Sequence, residues 1–251
     1  MTTDEMVVDV SQDWALACDV QMGFMQAPDT ASDSLDYSAR CRQVRALGGD
    51  IYDFIPLKDG SLALLVGDAS GKGLAAALMI ANVQSSVRTA ALFTQDDLAA
   101  LLEAVNRQAY ASSLANRYAT LFYCVFDGAT RTLRYVNAGH NPPLVLRNNG
   151  SVDRLETGGA PVGMFPDSIY ETTVTQLEPG DLIITYTDGV VEATNPSGEE
   201  WGVQGLVKAA VLEAHGSADA RNLVDLIFNS MDDFTKGHDI DDATLAVVRV
   251  I

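Results

Sequence analysis

The sequence predicts an α+β fold in which mainly antiparallel sheets carry their helices on the outside. Three observations predict it. Short apolar or alternating runs joined by turn sequences outnumber strand-helix-strand alternations, so hairpins dominate. Helical periods are gathered into two pairs, one in mid-chain and one near the end. At 251 residues the chain can bury a sizeable core as one domain, as sandwiches of this length commonly do.

Taken in order, residues 11 to 26 begin with an N-cap candidate, Ser11, and read as a helix with two apolar stripes. Trp14, Ala17, Cys18, Phe24 and Met25 form one stripe, Leu16 and Val20 part of another. Such a helix either packs on its own domain with one face and offers the other to a partner or a second copy of the chain, or buries both faces in its own domain. Pro28 to Ser34 reads as a loop, so residues 1–34 form a coupling or dimerisation segment ahead of a folded domain at 35–251.

Leu35 to Leu47 alternates loosely, as a half-buried strand does. Strands at 50 to 57 and 61 to 67 flank the turn Lys58-Asp59-Gly60 and form a hairpin. Leu74 to Leu92, free of Gly and Pro, makes a helix directly after Gly73, and a second helix runs from Asp96 to Leu114 with Asp96 and Asp97 where the helix dipole favours them. Tyr118 to Phe126 and Thr132 to Asn137 pair about Asp127-Gly128. Further strands are Leu144 to Arg147, Tyr170 to Leu177, Leu182 to Tyr186 and Ala243 to Val250, with helices at Val203 to Ala214 and Ala218 to Phe234 before the last.

The chain carries 16 basic against 34 acidic residues, a field that disfavours nucleic acid and anionic membranes and suits a protein that concentrates divalent cations. Cys18, Cys41 and Cys124 are odd in number and set among apolar neighbours, so neither a disulfide framework nor a thiolate metal site is indicated. The N-terminus has Asp4 and Glu5 in place of a basic region, and the longest apolar run, Leu74 to Ala81, is too short to span a bilayer. A cytoplasmic protein is expected.

Asp50, Asp68, Asp188 and the pair Asp241-Asp242 share one feature. Each lies at an end of a predicted strand, next to Gly or another Asp. The hairpin brings Asp50 and Asp68 together, and two carboxylates held that close repel unless protons or metal ions neutralise them. Any one of these aspartates suits a turn. If the strand ends converge, the four make an oxygen-only site for a hard cation such as Mg2+, Mn2+ or Ca2+, and zinc is disfavoured.

Gly48-Gly49-Asp50-Ile51-Tyr52-Asp53, Gly67-Asp68-Ala69-Ser70-Gly71-Lys72-Gly73, Asn137-Ala138-Gly139-His140-Asn141-Pro142-Pro143, Tyr186-Thr187-Asp188-Gly189 and Asp241-Asp242-Ala243-Thr244 resemble the successive motifs of the stage II sporulation protein E type phosphatases. These are the bacterial branch of the metal-dependent, protein phosphatase 2C-like (PPM) superfamily. The likeness runs over about residues 35 to 251; Gln43-Val44 stands where the family usually has Pro-Ala. It implies a four-layer α-β-β-α sandwich, two stacked antiparallel sheets flanked by helix pairs, with two Mn2+ or Mg2+ ions at one edge. By position, Asp68 resembles the carboxylate bridging the two metals and the Ala69 carbonyl a ligand beside it. Asp50 resembles a ligand of one metal, Asp188 and Asp241 those of the other, with Asp242 the alternative to Asp241.

The implied activity is hydrolysis of a phosphoserine or phosphothreonine ester by a water that the two metals activate. The implied substrate is a phosphorylated regulator such as an anti-sigma factor antagonist. Family members are often controlled by a sensor domain or an activating partner. A silent module that keeps the fold and only binds a partner is the alternative, disfavoured because every ligand position is acidic. A calcium module lacks the spaced aspartates and closing Glu of an EF-hand.

Three further residues invite a reading. Gly71-Lys72-Gly73 lacks the Gly and the Ser or Thr of a P-loop, so its glycines are expected to turn the backbone into the helix, with Lys72 near the metals or solvated. His140 offers a general acid, but its Asn and Pro neighbours favour a loop-holding role. Arg45, five residues before Asp50, could reach a substrate phosphate.

Overall fold

The computed structural model describes residues 3–25, 34–94, 96–113, 117–156, 158–214, 219–237 and 241–251. The elements are α1 (Thr3–Phe24), β1 (Leu35–Arg42), β2 (Asp50–Pro56), β3 (Leu62–Ala69), α2 (Leu74–Ala91), α3 (Leu98–Ser112), β4 (Ala119–Asp127), β5 (Thr132–Ala138), β6 (Leu144–Leu146), β7 (Val152–Arg154), β8 (Gly158–Gly159), β9 (Thr173–Gln176), β10 (Leu182–Tyr186), α4 (Asp188–Val191), α5 (Gly202–Ala214), α6 (Ala220–Thr235) and β11 (Ala243–Val250). Strands and helices fall close to the expected runs, while β7, β8 and α4 are additional. Most of the predicted loop at 28–34, and Asp239-Ile240, lie outside the described residues.

The strands form two sheets, ordered β1-β11-β10-β6-β7 and β2-β3-β4-β5-β8, with β9 paired to β5. All pairs are antiparallel except β5 with β8. Alternation along β10 and β11 sorts their side chains. Ile183, Ala246, Val248 and Val250 join the core that runs through the second sheet to α2 and α3. Leu182, Ile184, Tyr186, Ala243, Leu245 and Val247 join a separate core beneath α4, α5 and α6. Both faces of each sheet are therefore covered, which is why these antiparallel strands read as continuous apolar runs rather than alternating ones. The expected four-layer arrangement of helix pairs around stacked sheets is the one observed.

The N-terminal helix differs from expectation. It runs from Thr3, so Ser11 lies within it rather than capping it. Nothing in residues 4 to 10 is Gly or Pro, so no local signal stops the helix there. Of the larger apolar stripe, Met25 alone is buried, whereas Trp14 and Phe24 are exposed, as are Leu16 and Val20 of the other stripe. Among the described residues the contacts that dock α1 are polar, and the Gln84 side chain of α2 donates to the Phe24 carbonyl at 2.9 Å. Buried Gln21 donates Nε2 to the Gly48 carbonyl at 2.8 Å and accepts from the Gly48 N–H at 3.1 Å. The reason is that a buried peptide group must be hydrogen-bonded, and a glutamine amide satisfies both of its halves at once. Among the described residues no helix is long and apolar enough to cross a membrane.

Candidate metal centre

The two sheets present their acidic strand ends on one edge. Asp50 opens β2 and is the direct register partner of Asp68 near the end of β3, so the hairpin juxtaposes them as its turn sequence predicts. Asp188 follows β10 in the first turn of α4, and Asp241 and Asp242 immediately precede β11, the neighbour of β10. One sheet thus supplies Asp50 and Asp68, the other Asp188 and Asp241.

Electrostatics show how closely these groups interact. Burial, then the charges of Asp188, Asp241 and Asp242, push the Asp68 carboxyl up to about 7. Asp50 is 2% exposed, and burial followed by the Asp68 charge raises it well above the ordinary carboxylate range. Asp188 is raised by burial and by Asp241. Among the described residues no three such side chains close around one point at coordination distance. What the edge does show is an all-oxygen donor set whose mutual repulsion a hard dication would relieve, and this donor chemistry fits Mg2+ or Mn2+.

Asp241 and Asp242 are held differently. Asp242 Oδ1 accepts the Val44 N–H at 2.9 Å and Oδ2 the Gly49 N–H at 3.0 Å, so it ties the segment before Asp50 to the start of β11. Asp241 accepts its neighbour's backbone N–H through Oδ1 and the Lys72 ammonium through Oδ2 at 2.6 Å. Lys72 therefore stands among the acidic groups while remaining exposed. Arg45, also exposed, lies against the Gly73 turn, 3.7 Å from where a Cβ on that glycine would stand.

Glycine is required where backbones meet. A Cβ on Gly189 would lie 1.9 Å from the Asp242 carbonyl oxygen, and one on Gly48 would lie 2.7 Å from Asp242 Oδ2. Gly189→Ala is accordingly expected to separate Asp188 from Asp242 and cost more than about 2 kcal/mol of stability, read as a lower denaturation midpoint. Gly71 and Gly73 have φ of 95° and 73°, a left-handed turn into α2, as expected of glycines that only redirect the chain.

His140 is not a proton donor at neutral pH. Its ring is buried, and burial lowers it to about 4 even though it faces the Tyr186 carbonyl. Its Nδ1 lies 3.0 Å from Thr120 Oγ1, and its backbone N–H donates to Asn137 Oδ1 while Asn137 Nδ2 donates to the Leu155 carbonyl. This is the loop-holding arrangement the Asn and Pro neighbours favour. Burial also pushes the Cys41 thiol up, which keeps it protonated and unsuited to ligation.

Two further residues of the site are ones that sequence reasoning misses. Thr187 Oγ1 and Thr244 Oγ1 each donate to Asp50 Oδ2 at 2.7 Å. Their signal in the sequence is their place inside two of the five motifs, one directly before Asp188 and one two residues after Asp242, which gives neither of them a role. A cavity of about 400 Å³ lined by Leu146, Arg147, Gly180, Leu182 and Arg249 lies at the opposite end of β10, remote from the acidic edge.

The family model described as stage II sporulation protein E matches residues 58–251. Protein IcfG of Synechocystis sp. is 31% identical over 232 residues, 81% of this chain and 36% of that protein. Phosphoserine phosphatase RsbU of Bacillus subtilis is 27% identical over 248 residues, 96% of this chain and 71% of that one. The chain thus spans about a third of the cyanobacterial relative. The SiaA-PP2C domain of Pseudomonas aeruginosa superposes with a TM-score of 0.82 over 99% of both chains at 18% identity, which establishes the shared fold. With the five motifs, the layered sheets and this match over most of its length, the chain belongs to the stage II sporulation protein E family and is a PPM-type phosphatase domain.

Proposed function

We propose that the chain is a divalent-cation-dependent phosphatase that hydrolyses a phosphoserine or phosphothreonine ester on a regulatory protein. The observation that carries this reading is the convergence of Asp50, Asp68, Asp188 and Asp241 from strand ends of two different sheets on one edge. Asp68, coupled to both groups of carboxylates, is assigned as the ligand shared between two Mn2+ or Mg2+ ions, with the Ala69 carbonyl beside it. Asp50 serves one ion, and Asp188 and Asp241 serve the other. Asp242, whose oxygens accept two backbone N–H groups, is assigned to hold the Gly48–Gly49 segment rather than to ligate.

When bound, the cations supply an activated water and neutralise charge that develops on the attacked phosphorus. The protein's own groups set the stage for this. The aspartates are partly desolvated, which strengthens their hold on a cation. Lys72, salt-bridged to Asp241, is the mobile counter-charge that gives way when a cation arrives. Neutral His140 leaves proton donation to solvent. No Ser or Cys nucleophile is required.

A phosphorylated anti-sigma factor antagonist is the substrate class this reading favours, supported by the likeness to a relative named as a phosphoserine phosphatase. The exposed Trp14, Leu16, Val20 and Met22 of α1 are assigned to a sensor domain, an activating partner or a second copy of the chain. The test is hydrolysis of p-nitrophenyl phosphate with and without Mn2+, followed by phosphate release from a phosphoserine-bearing antagonist protein. Manganese-dependent turnover of both is expected. Manganese binding without turnover on either substrate, even with a candidate activator added, would return the chain to the alternative of a silent binding module.

A further inference from the structure

We infer that Thr187 and Thr244 are positioning residues that restrict Asp50 to one ligating oxygen and thereby tune the centre toward small octahedral cations. The inference rests on the metal-centre reading above and goes beyond it to which cation the centre accepts.

Asp50 belongs to one sheet, while Thr187 and Thr244 come from the other, so the bonds cross the gap between the stacked sheets. Both threonines are 0% exposed. Both hydroxyls end on the same oxygen, Asp50 Oδ2, each at 2.7 Å. A carboxylate oxygen has two lone pairs, and two donated hydrogens use both. Oδ1 is left as the oxygen with coordinating capacity.

The hydroxyls are themselves held in place. Thr187 Oγ1 accepts the Thr244 N–H at 2.9 Å, which leaves its proton for Asp50, and the Thr187 N–H donates to the Thr244 carbonyl at 3.0 Å. The pair is therefore a rigid two-point clamp built from backbone as well as side chains. Its chemical consequence follows from cation size. Mg2+ and Mn2+ favour six single-oxygen ligands in a near-octahedral shell, whereas Ca2+ accepts more ligands and takes carboxylates in bidentate fashion. Locking Oδ2 removes the bidentate option at Asp50.

The variants to make are Thr187→Val, Thr244→Val and their double, with Thr187→Ser and Thr244→Ser as conservative counterparts. Valine keeps the shape and β-branching and deletes the hydroxyl; serine keeps the hydroxyl. Calorimetric titration of each metal-free protein with Mn2+, Mg2+ and Ca2+ is the readout, taken below the melting temperature of the variant. The valine variants are expected to lose about 10- to 100-fold in Mn2+ and Mg2+ affinity, the scale typical of removing a group that orients a ligand. Calcium affinity should fall by less than about threefold, so the selectivity ratio changes by about tenfold. The serine variants should keep the wild-type ratio. Equal losses for all three cations, or no loss at all, would overturn the inference, because a merely loosened fold does not discriminate between cations. A wild-type protein that binds none of the three would instead overturn the metal-centre reading on which it stands.

Discussion

Asp68→Asn and Asp188→Asn are each expected to lower manganese-dependent hydrolysis of p-nitrophenyl phosphate by about 100- to 1,000-fold or more. The reason is positional. Asp68 interacts electrostatically with Asp50 on its own sheet and with Asp188 and Asp241 on the other, so it links the two halves of the cluster. Asparagine keeps the size and one acceptor oxygen but removes the charge that holds a dication. A loss of this size matches what removal of a pre-organised electrostatic group costs at a developing transition state. Calorimetry separates cause from consequence: both variants should bind manganese more weakly while their circular dichroism stays that of the wild type. Wild-type turnover in either variant would remove that residue from the centre.

The second large effect is on stability without metal. The folded Asp68 carboxyl is raised to about 7 from an ordinary value near 3.8. A carboxyl raised by folding contributes stability that is present below its unfolded value and lost as pH rises through the folded one. Asp68 therefore contributes a loss of stability to the metal-free protein between about pH 4 and pH 7, opposed between about pH 4 and pH 6.5 by buried His140, whose lowered value of about 4 adds stability as pH rises. A tenfold change in a proton's binding constant corresponds to about 1.4 kcal/mol, so Asp68 sets a loss of order 4 kcal/mol, to which Asp188 and Asp50 add with the same sign. For a chain of this size that is of order 10 °C in melting temperature. Scanning calorimetry in EDTA from about pH 5 to pH 8, run on the wild type and on Asp68→Asn, isolates the Asp68 part as the difference between the two slopes, since the His140 part is common to both. Asp68→Asn should remove the downward part and melt higher relative to the wild type at the alkaline end than at about pH 5, and added Mn2+ should restore the wild type by binding the folded state alone. A wild-type protein whose melting temperature in EDTA changes with pH in the same way as that of Asp68→Asn would contradict this origin of the cluster's strain. The two experiments bracket the same residue: one asks what its charge does for catalysis, the other what it costs the empty fold.

Much of the site is legible in the sequence itself. Hairpin chemistry at Lys58-Asp59-Gly60 sets the register that pairs Asp50 with Asp68, because a tight turn leaves the flanking strands little freedom to slip. The apolar runs at Leu182–Tyr186 and Ala243–Val250 show where strands lie and hence that Asp188 and Asp241 stand at strand ends. These are local properties, encoded in residues a few positions apart. The motif order adds the family.

What the sequence could not decide involves contacts between distant segments. Asp241 and Asp242 are adjacent and chemically identical in type, and they are told apart by what meets them: Lys72 on one, the Val44 and Gly49 amides on the other. The N-terminal helix shows two apolar stripes, yet a glutamine docks it, since the buried peptide groups of Gly48 need an amide that both donates and accepts more than the domain needs another apolar face. Thr187 and Thr244 reach Asp50 across 137 and 194 residues of chain, and no periodicity reports a bond of that range. By itself the sequence determined the strands, their turns and the acidic residues at their ends, because hydrophobic period and turn chemistry are short-range. Only the tertiary structure decided which oxygen of Asp50 the threonines occupy and what meets Asp241 and Asp242, because that depends on how two sheets, each held by its own hydrogen bonds, stack against one another.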